Sequence, residues 1–470
     1  MDYNQTINYI TKDYEESVLP NLSEFIKIEN ISPSYDTSFF SNGKTEKAAE
    51  FILSYIKTLP IKNLHSEIIK VENIAPMIFI QIPPTSSTIT KNILLYCHYD
   101  KQPGYNNWNE GLNPFVPIIR NNYLYGRGSS DDGYAIFSYF SAIKAIEKLN
   151  GNHGKISIII EGAEESGSPG LMTLINKIED KIGIPDLMIC FDSYVINYNT
   201  LYITSSLRGN ILVNVNIQCL DESVHSGSGS GIAPDSFNIL RLLLDRLEDK
   251  NNSKVIDELQ VKIPDNFIED IKKEVEFAKE DVIKYNAKLL PNVKTISSDY
   301  IESVINNTWK TTIVVTGMSG FPKAEIAGNV LRKNTSCRLS IRIPPLLKKE
   351  KAKEIIKKIL TENIPYNAIV NVDFPAEVDG WAIKNLDKKI SDSFMKSSRF
   401  LFGSDCYNLG SGITIPFVNM LNEKYKDCNM LVSGVLGPYS NAHSPNECLN
   451  IDYSKKLTVA LAHVISDFCS

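Results

Sequence analysis

The sequence has 470 residues, of which 43% are hydrophobic and 22% are charged. The chain is longer than the roughly 250–300 residues at which one hydrophobic core usually stops growing, and its composition is that of folded proteins, so a single small domain and a largely disordered chain are excluded. The 49 basic and 55 acidic residues give a net charge of -6 without a dominant basic block, which argues against nucleic-acid binding and a membrane-binding basic patch and favours small-molecule chemistry.

The first residues, MDYNQTINYITKDYEESVLP, lack the basic segment and continuous apolar run of a secretory signal. No later stretch approaches about 18 uninterrupted apolar residues, the length that a membrane-spanning helix needs. The eight cysteines are scattered without CxxC pairs, as expected for reduced thiols. We therefore expect a cytoplasmic protein without a membrane partner.

The predicted elements begin with helices, because apolar residues recur at three- and four-residue spacings through YNQTINYITKDYEESVLPNLSEFIKI and TEKAAEFILSYIKTL. Four apolar runs rich in Ile follow, and helical stretches such as YAIFSYFSAIKAIEKL separate them. These predicted strands are MIFIQI, NILLYC, KISIII and DLMICF. The alternation predicts an α/β domain with a central, mostly parallel sheet and helices on both faces.

The pattern changes near Arg208, where GNILVNVNIQCL alternates apolar and polar residues like a strand that is exposed on one face. The helices and strands that follow predict an inserted α+β domain with an antiparallel sheet. We therefore predict a catalytic domain formed by residues 1–207 and 383–470, and an inserted lid domain at 208–382. The charged insert FIEDIKKEVEFAKEDVIKYNAKLL is most simply explained as a helix with a solvent-facing side.

Three of the apolar runs lead into side chains that commonly bind metals. NILLYC leads to His98 and Asp100, KISIII leads to Glu164 and Glu165, and DLMICF leads to Asp192. Each motif alone is common among polar residues that leave a strand. The carboxyl ends of parallel strands meet at one edge of a sheet, however, so these side chains are expected to converge. Their combined negative charge would be strongly repulsive there, which indicates bound cations.

Imidazole combined with carboxylates suits zinc, and manganese or cobalt can also be accommodated. Two such ions about 3.5–4 Å apart need a carboxylate that bridges them, and they activate a water molecule as the nucleophile. A carboxylate outside the metal shell must then move the proton. The sequence therefore predicts two divalent ions per chain.

Five motifs in this order resemble those of the metal-dependent exopeptidases and amidohydrolases, a family that includes carnosinase-type dipeptidases, acetylornithine deacetylase and succinyl-diaminopimelate desuccinylase. The motifs are YCHYDKQP, YGRGSSDDGYA, EGAEESGSPG, the strand end at Asp192 and GVLGPYSNAHSPNE, and they extend over nearly the whole chain. The resemblance implies one metal ion on His98, Asp131 and Asp192. It implies a second ion on Asp131, Glu165 and His443, with Asp131 as the bridge.

The same resemblance implies roles for two further carboxylates. Glu164 falls at the position of the family's general acid and base, beside the predicted ligand Glu165. Asp100 resembles the carboxylate that orients the imidazole of His98. A cis peptide bond is implied after Asp131.

The resemblance also covers the lid, which in the family packs into a homodimer and contacts the substrate. It implies that His225 polarises the scissile carbonyl from the partner subunit, that Asn329 contacts the substrate, and that Arg342 clamps a substrate carboxylate. The alternatives are a flexible glycine loop for HSGSGSG and a plain cross-strand ion pair for Arg342.

One motif departs from the family. Dipeptidase-like relatives carry a glutamate followed by Gly-Gly-Ser/Thr-Ile-Pro, and here Ser411 and Ile413 occupy the places of the glutamate and the second glycine. That glutamate can hold the free amino group of a substrate, so its replacement favours a blocked or acylated substrate. Ser411 and Thr414 are nevertheless predicted to contact the substrate.

We therefore predict a homodimeric two-metal hydrolase that cleaves a peptide or amide bond in a small, carboxylate-bearing substrate, as a dipeptidase-like exopeptidase does. An N-acyl amino acid deacylase, with the same metals and Glu164, is the near alternative. A catalytically silent relative that binds a metabolite is the more distant one.

Overall fold

The computed structural model describes residues 1–284, 289–384 and 386–470. Part of the predicted charged insert, residues 285–288, lies outside the described residues, and so does residue 385 near the start of the predicted second catalytic segment. Among the described helices, none is long and apolar enough to span a bilayer.

The helices are distributed along the described chain. In chain order they are α1 (Tyr3–Asp13), α2 (Leu19–Ile26), α3 (Lys44–Lys57), α4 (Gly133–Lys148), α5 (Leu171–Lys177), α6 (Glu179–Ile182), α7 (Ser226–Gly229), α8 (Ser236–Leu244), α9 (Asp265–Ala278), α10 (Asp281–Lys284), α11 (Tyr300–Thr308), α12 (Lys349–Thr361), α13 (Lys388–Phe402), α14 (Pro416–Lys424) and α15 (Ile451–Phe468). A π-helical segment, Tyr14–Val18, joins α1 to α2, and short 3-10 turns lie at Glu164–Ser166, Asp257–Leu259, Ala324–Ile326 and Pro365–Asn367.

The strands fall into one central sheet, one lid sheet and three small sheets. In chain order they are β1 (His65–Val71), β2 (Ile74–Ile82), β3 (Asn92–His98), β4 (Ile118–Arg120), β5 (Tyr123–Tyr125), β6 (Lys155–Glu161), β7 (Leu187–Cys190), β8 (Tyr202–Leu207), β9 (Gly209–Gln218), β10 (Val224–His225), β11 (Thr312–Ser319), β12 (Val330–Leu331), β13 (Asn334–Ile343), β14 (Ile369–Val378), β15 (Trp381–Ala382), β16 (Tyr407–Ser411), β17 (Asn429–Val432) and β18 (Cys448–Asn450).

The central sheet has the strand order β1-β2-β6-β3-β7-β17. The β6, β3, β7 and β17 strands pair in parallel, as predicted for KISIII, NILLYC and DLMICF. The MIFIQI strand, β2, pairs antiparallel with both β6 and β1. A short turn joins β1 to β2, and so short a connection permits only antiparallel pairing. The sheet is therefore mixed.

Helices cover both faces of this sheet because its inner strands β3, β6 and β7 are apolar on both sides. On β3, Leu95 and Cys97 belong to the core that contains α1, α3, α4 and α15. Leu94 and Tyr96 point the other way, into a core with apolar residues of α5 and α14. Successive side chains of a strand face opposite sides, so the continuous apolar run NILLYC supplies two cores at once. The predicted α/β architecture is confirmed.

The inserted region contains a second sheet, with order β11-β13-β9-β14 and antiparallel pairing throughout. Alternate residues of β9, from Ile211 to Ile217, are buried together with apolar residues of α8 and α12. The residues between them, Leu212, Asn214 and Asn216, are half-buried on the other face, which is the alternation seen in GNILVNVNIQCL. This confirms the predicted α+β lid.

The charged insert forms a helix with a solvent-facing side, as predicted, and its other side is buried. Helix α9 is solvent-facing on one side only, and its other side buries Phe267, Ile271 and Ala278. These residues belong to the same core as Leu409 of β16, whereas the lid sheet has a core of its own. Their spacing of four and seven residues forms one helical stripe, which explains why a strongly charged helix is packed against the neighbouring strand.

Candidate active site

The site is built at the carboxyl ends of neighbouring parallel strands. β3 ends at His98 and pairs with β6, which precedes Glu164 and Glu165. β7 lies on the other side of β3 and precedes Asp192. Asp131 is in the turn that leads into α4, and the peptide bond that follows it is cis, as the resemblance implied. His443 approaches from the loop before β18.

Asp131 stands between the two histidines. Its Oδ1 is 3.1 Å from His98 Nε2, and its Oδ2 is 2.9 Å from His443 Nε2. His443 Nε2 is also 3.1 Å from Glu165 Oε2, and His98 Nε2 is 3.8 Å from Asp192 Oδ2. The fold therefore brings the five predicted ligands together, with one Asp131 oxygen facing each half of the cluster.

The described residues include two groups of potential metal ligands, and within each group the ligand atoms all lie within 4.8 Å of one another. One group is Asp131, Glu165 and His443, which matches the predicted second ion. The other consists of His98, Asp192 and Glu164. Glu164 is thus close enough to serve as a ligand, although the sequence indicated only a proton-transfer role outside the metal shell.

The residues of this cluster fit divalent cations. Burial, reinforced by neighbouring carboxylates, raises the pKa of Asp192 and of Glu164 well above the ordinary carboxyl value. Glu165 Oε1 is buried without a hydrogen-bond partner among the described residues. Burial lowers the pKa of His443, but hydrogen bonds to Asp131 and Glu165 outweigh it and raise that pKa overall. Buried carboxylates with imidazole nitrogens between them form a donor set that suits zinc and similar ions.

The carboxylate of Asp100 contacts both His98 and the turn that carries Glu164 and Glu165. Its Oδ1 is 3.3 Å from His98 Nδ1, so the predicted orienting contact is present. The same carboxylate accepts the backbone N–H groups of Glu164 and Glu165, each at 3.1 Å. One buried side chain therefore fixes the ring of His98 and the turn that carries both glutamates.

Glu447 is a supporting residue that the sequence analysis did not single out. It is fully buried, and its Oε1 accepts the backbone N–H groups of Gly128, Ser130 and Asp131 at 3.1–3.2 Å. Its Oε2 pairs with Arg127 Nη1 at 2.6 Å. Glu447 is the last residue of the GVLGPYSNAHSPNE motif, and Arg127 lies in GRGSSDDG. The sequence offered one signal for this contact: each of the two motifs contains a residue of opposite charge, Arg127 in one and Glu447 in the other.

The predicted substrate contacts on β13 and after β16 form a second group. Arg342 Nη1 donates to Thr414 Oγ1 at 2.7 Å, and Thr414 Oγ1 donates to the backbone carbonyl of Arg208 at 2.6 Å. The backbone N–H of Arg208 donates to the carbonyl of Ser411. Arg342 is paired across the sheet with Thr312 and with an asparagine, so the cross-strand ion pair considered for it does not form in the described chain.

A cavity of about 720 Å³ opens beside this group. Arg208, Arg342 and Ser411 contribute to its wall, and residues of α9, α10 and α11 line it as well. The lining contains none of the metal-cluster residues, but it includes Tyr194, two residues beyond Asp192. The cavity is thus adjacent in the chain to one strand end of the metal cluster.

The two remaining predicted residues lie together on the lid. His225 and Asn329 are exposed, and the backbone N–H of Ser226 donates to the Asn329 carbonyl at 2.9 Å. His225 Nδ1 accepts a hydrogen bond from the N–H of Gly227, in the short helix α7 that begins at Ser226. The alternative for this segment was a flexible glycine loop. Neither residue belongs to the two groups of ligand atoms in its own described chain.

Comparison with known proteins identifies a family and several similar proteins. The model of peptidase family M20/M25/M40 matches residues 94–467. The chain is 23% identical over 385 residues to the cysteinylglycine-S-conjugate dipeptidase of Corynebacterium striatum, a match to 79% of this chain and 80% of that protein. It is 26% identical over 401 residues to the Beta-Ala-His dipeptidase of Homo sapiens, covering 80% and 74%. The solved structure of the dipeptidase Dug1p from Saccharomyces cerevisiae has the same fold, with a TM-score of 0.79, 21% identity and coverage of 100% and 98%.

Proposed function

The chain belongs to peptidase family M20/M25/M40, and we propose that it is a two-metal dipeptidase that acts on small substrates with a free carboxylate. The observation that carries this proposal is Asp131, whose two carboxylate oxygens face two different histidines within one buried acidic cluster. The two relatives named above are themselves dipeptidases, and each match extends over most of both chains.

In this proposal His98, Asp131 and Asp192 hold one divalent ion, and Asp131, Glu165 and His443 hold the other. Zinc is the first choice because it suits mixed imidazole and carboxylate ligands, and manganese or cobalt can replace it. The chemistry that bound ions supply is activation of water near neutral pH and polarisation of the scissile carbonyl. The side chains of the site transfer the proton and bind the substrate.

Glu164 is proposed to move the proton. It sits in the turn after β6 with its backbone N–H held by Asp100. Its carboxylate takes a proton from the attacking water and gives it to the leaving amine, so that no separate acid is needed. Burial raises its pKa, which is the direction that makes a carboxyl group useful for proton transfer near neutral pH.

Arg342 is proposed to bind the carboxylate of the substrate. Its guanidinium is half-buried and held by Thr414, at the wall of the cavity. A planar guanidinium can form two parallel hydrogen bonds to a carboxylate. An N-acyl amino acid also offers that carboxylate, so only the replacement of the family's glutamate by Ser411 favours the deacylase alternative.

We also propose that the enzyme is a cytoplasmic homodimer formed through the lid. His225 would then reach the active site of the partner subunit, with Asn329 beside it as a substrate contact. The exposed position of both residues supports this arrangement, because in their own chain they have no part in the metal cluster.

Metal removal tests the proposed function. Dialysis against a chelator should abolish hydrolysis of a panel of dipeptides, and zinc or manganese should restore it at two equivalents per chain. Metal content and hydrolysis rate are measured on the same samples. Dipeptide amides, which lack the carboxylate, are the matched substrates and should be poor. Full activity in protein shown to be metal-free would overturn the proposal.

A further inference from the structure

Two guanidinium groups line the cavity beside β16 without a carboxylate partner among the described residues. Arg208 donates to the backbone carbonyls of Gly412 and Lys310 and to the hydroxyl of Thr312, and Arg342 donates to Thr414. Within the described residues, neither guanidinium forms an ion pair with a carboxylate. Two unpaired guanidinium groups at one wall make that wall a receptor for a carboxylate.

The lining of the same cavity also includes a buried carboxylate, one oxygen of which has no hydrogen-bond partner among the described residues. Glu274 of α9 lines the cavity and is only 2% exposed. Its Oε2 is buried and receives no hydrogen bond from any described residue. Burial, together with the nearby charge of Asp270, raises the pKa of Glu274 well above the ordinary value. Asp270 itself accepts a hydrogen bond from the Asn408 amide at 2.8 Å, so Glu274 is the acid that remains unsatisfied.

Packing alone does not explain a glutamate at this position. Glu274 belongs to the buried stripe of α9 with Phe267, Ile271 and Ala278, all of which are apolar. An apolar side chain would fill the same place without the cost of removing a carboxylate from water. A buried acid is favourable there when a cation occupies the cavity next to it.

We propose that Glu274 binds a primary ammonium group of the substrate while Arg342 and Arg208 receive its carboxylate, so that the cavity selects zwitterionic peptides. This inference rests on the proposed dipeptidase function. Helix α9 packs against β16, the strand that ends at Ser411, where the related dipeptidases carry their glutamate. In this chain the negative charge comes from the inserted helix, so a free amine is recognised although Ser411 is neutral.

Two substrate pairs test the inference and identify the source of the ammonium group. Alanyl-alanine against its N-acetyl form reports on the α-amino group, and alanyl-lysine against alanyl-norleucine reports on a side-chain amine. The wild-type enzyme should prefer the charged member of one pair by about 30-fold or more in kcat/KM, as expected for a buried charge pair. Glu274→Gln should remove most of that preference, while kcat/KM for the uncharged member stays within about threefold.

Glu276→Gln is the matched control, because it is the same substitution on the same helix at an exposed position outside the cavity lining. A preference that survives Glu274→Gln, equal losses in the two variants, or no preference in either pair would overturn the inference. If the wild-type protein hydrolyses no dipeptide at all, the proposed function fails separately. Calorimetric binding of alanyl-lysine and alanyl-alanine then decides the inference: binding that only Glu274→Gln loses supports it, and unchanged or absent binding refutes it.

Discussion

Adjacent glutamates in one turn have different environments. Glu165 Oε2 contacts His443 and accepts a hydrogen bond from Gln102 Nε2 at 2.7 Å, whereas Glu164 is half-buried and has no side-chain hydrogen bond within the described chain. We expect Glu164→Gln to lower kcat by roughly 10²–10⁴-fold, the usual range for a general acid or base, with both metal ions retained. Glu165→Gln should instead lose metal. Kinetics and metal analysis of both variants separate the two roles.

The position of Glu164 near His98 and Asp192 makes this comparison informative. If Glu164→Gln binds one ion fewer than the wild-type protein, Glu164 is a ligand and the proton must be moved by another group.

Glu447 is a buried anion whose partners are all fixed by the fold. Glu447→Gln leaves Arg127 buried without its counterion, and it weakens the acceptor for three backbone N–H groups. We expect the free energy of unfolding to fall by about 3–5 kcal/mol, the cost of breaking a buried pair. Metal affinity should fall as well, because one of those N–H groups belongs to Asp131.

Urea denaturation of the metal-free protein measures the effect of Glu447→Gln on folding. Glu423→Gln is the control: Glu423 is exposed and lies 3.4 Å from Lys348, so its loss should cost less than about 1 kcal/mol. If the free energy of unfolding falls by a similar amount in the two variants, the buried pair adds no more to stability than an exposed one.

At the scale of elements, the packing of α1 on α15 depends on a neutral histidine. His463 stacks on Tyr3 with ring centroids 3.7 Å apart, and its Nε2 is buried without a hydrogen-bond partner among the described residues. Burial lowers the pKa of His463 to about 4. The unfolded chain therefore binds a proton at this residue at higher pH than the folded protein does.

This difference makes stability depend on pH. The contribution of His463 is complete above its ordinary pKa of 6.5 and is lost as the pH falls from there to about 4. At 1.36 kcal/mol per pKa unit, the loss amounts to about 3 kcal/mol. We expect His463→Phe, which keeps a ring against Tyr3, to lose less stability than the wild-type protein between pH 7 and pH 5. Urea denaturation at both pH values measures the free energy of unfolding of each protein. The same pH dependence in the variant and the wild-type protein would contradict the prediction.

At the scale of the whole molecule, the lid exposes both predicted substrate contacts and apolar surface. Ile326, near Asn329, is 75% exposed, and His225 is on the neighbouring strand. If two chains share each active site, a site uses Glu164 from one chain and His225 from the other. In a hybrid dimer of His225→Ala with Glu164→Gln, one site therefore has both residues intact. Mixing the two variants in equal amounts makes about half of the dimers hybrid, and one of the two sites in each hybrid is intact, so about one quarter of wild-type activity should return.

The control for that experiment is the double variant, Glu164→Gln with His225→Ala, mixed with Glu164→Gln, because no site in that mixture is intact. Subunits are exchanged by mild denaturation and refolding of both mixtures. Light scattering that shows an active monomer, or no recovery in the first mixture, would contradict the shared site.

The sequence determined the features that depend on local pattern. Continuous apolar runs identified the buried strands that supply two cores, and alternation identified the lid sheet, because burial of one or both faces dictates the spacing of apolar residues. The order of the motifs identified the residues that the fold brings together around Asp131. Their roles in catalysis remain predictions.

Contacts between distant segments were decided only by the tertiary structure. A C-terminal loop packs on strand ends from the first half of the chain. This packing decides which oxygen of Asp131 faces which histidine, and it places Glu447 against the turn that contains Asp131. The burial of Glu274 depends on α9 lying against β16, which its charged sequence did not indicate. Local propensity does not encode such contacts, because they form only when elements far apart in the sequence are packed together.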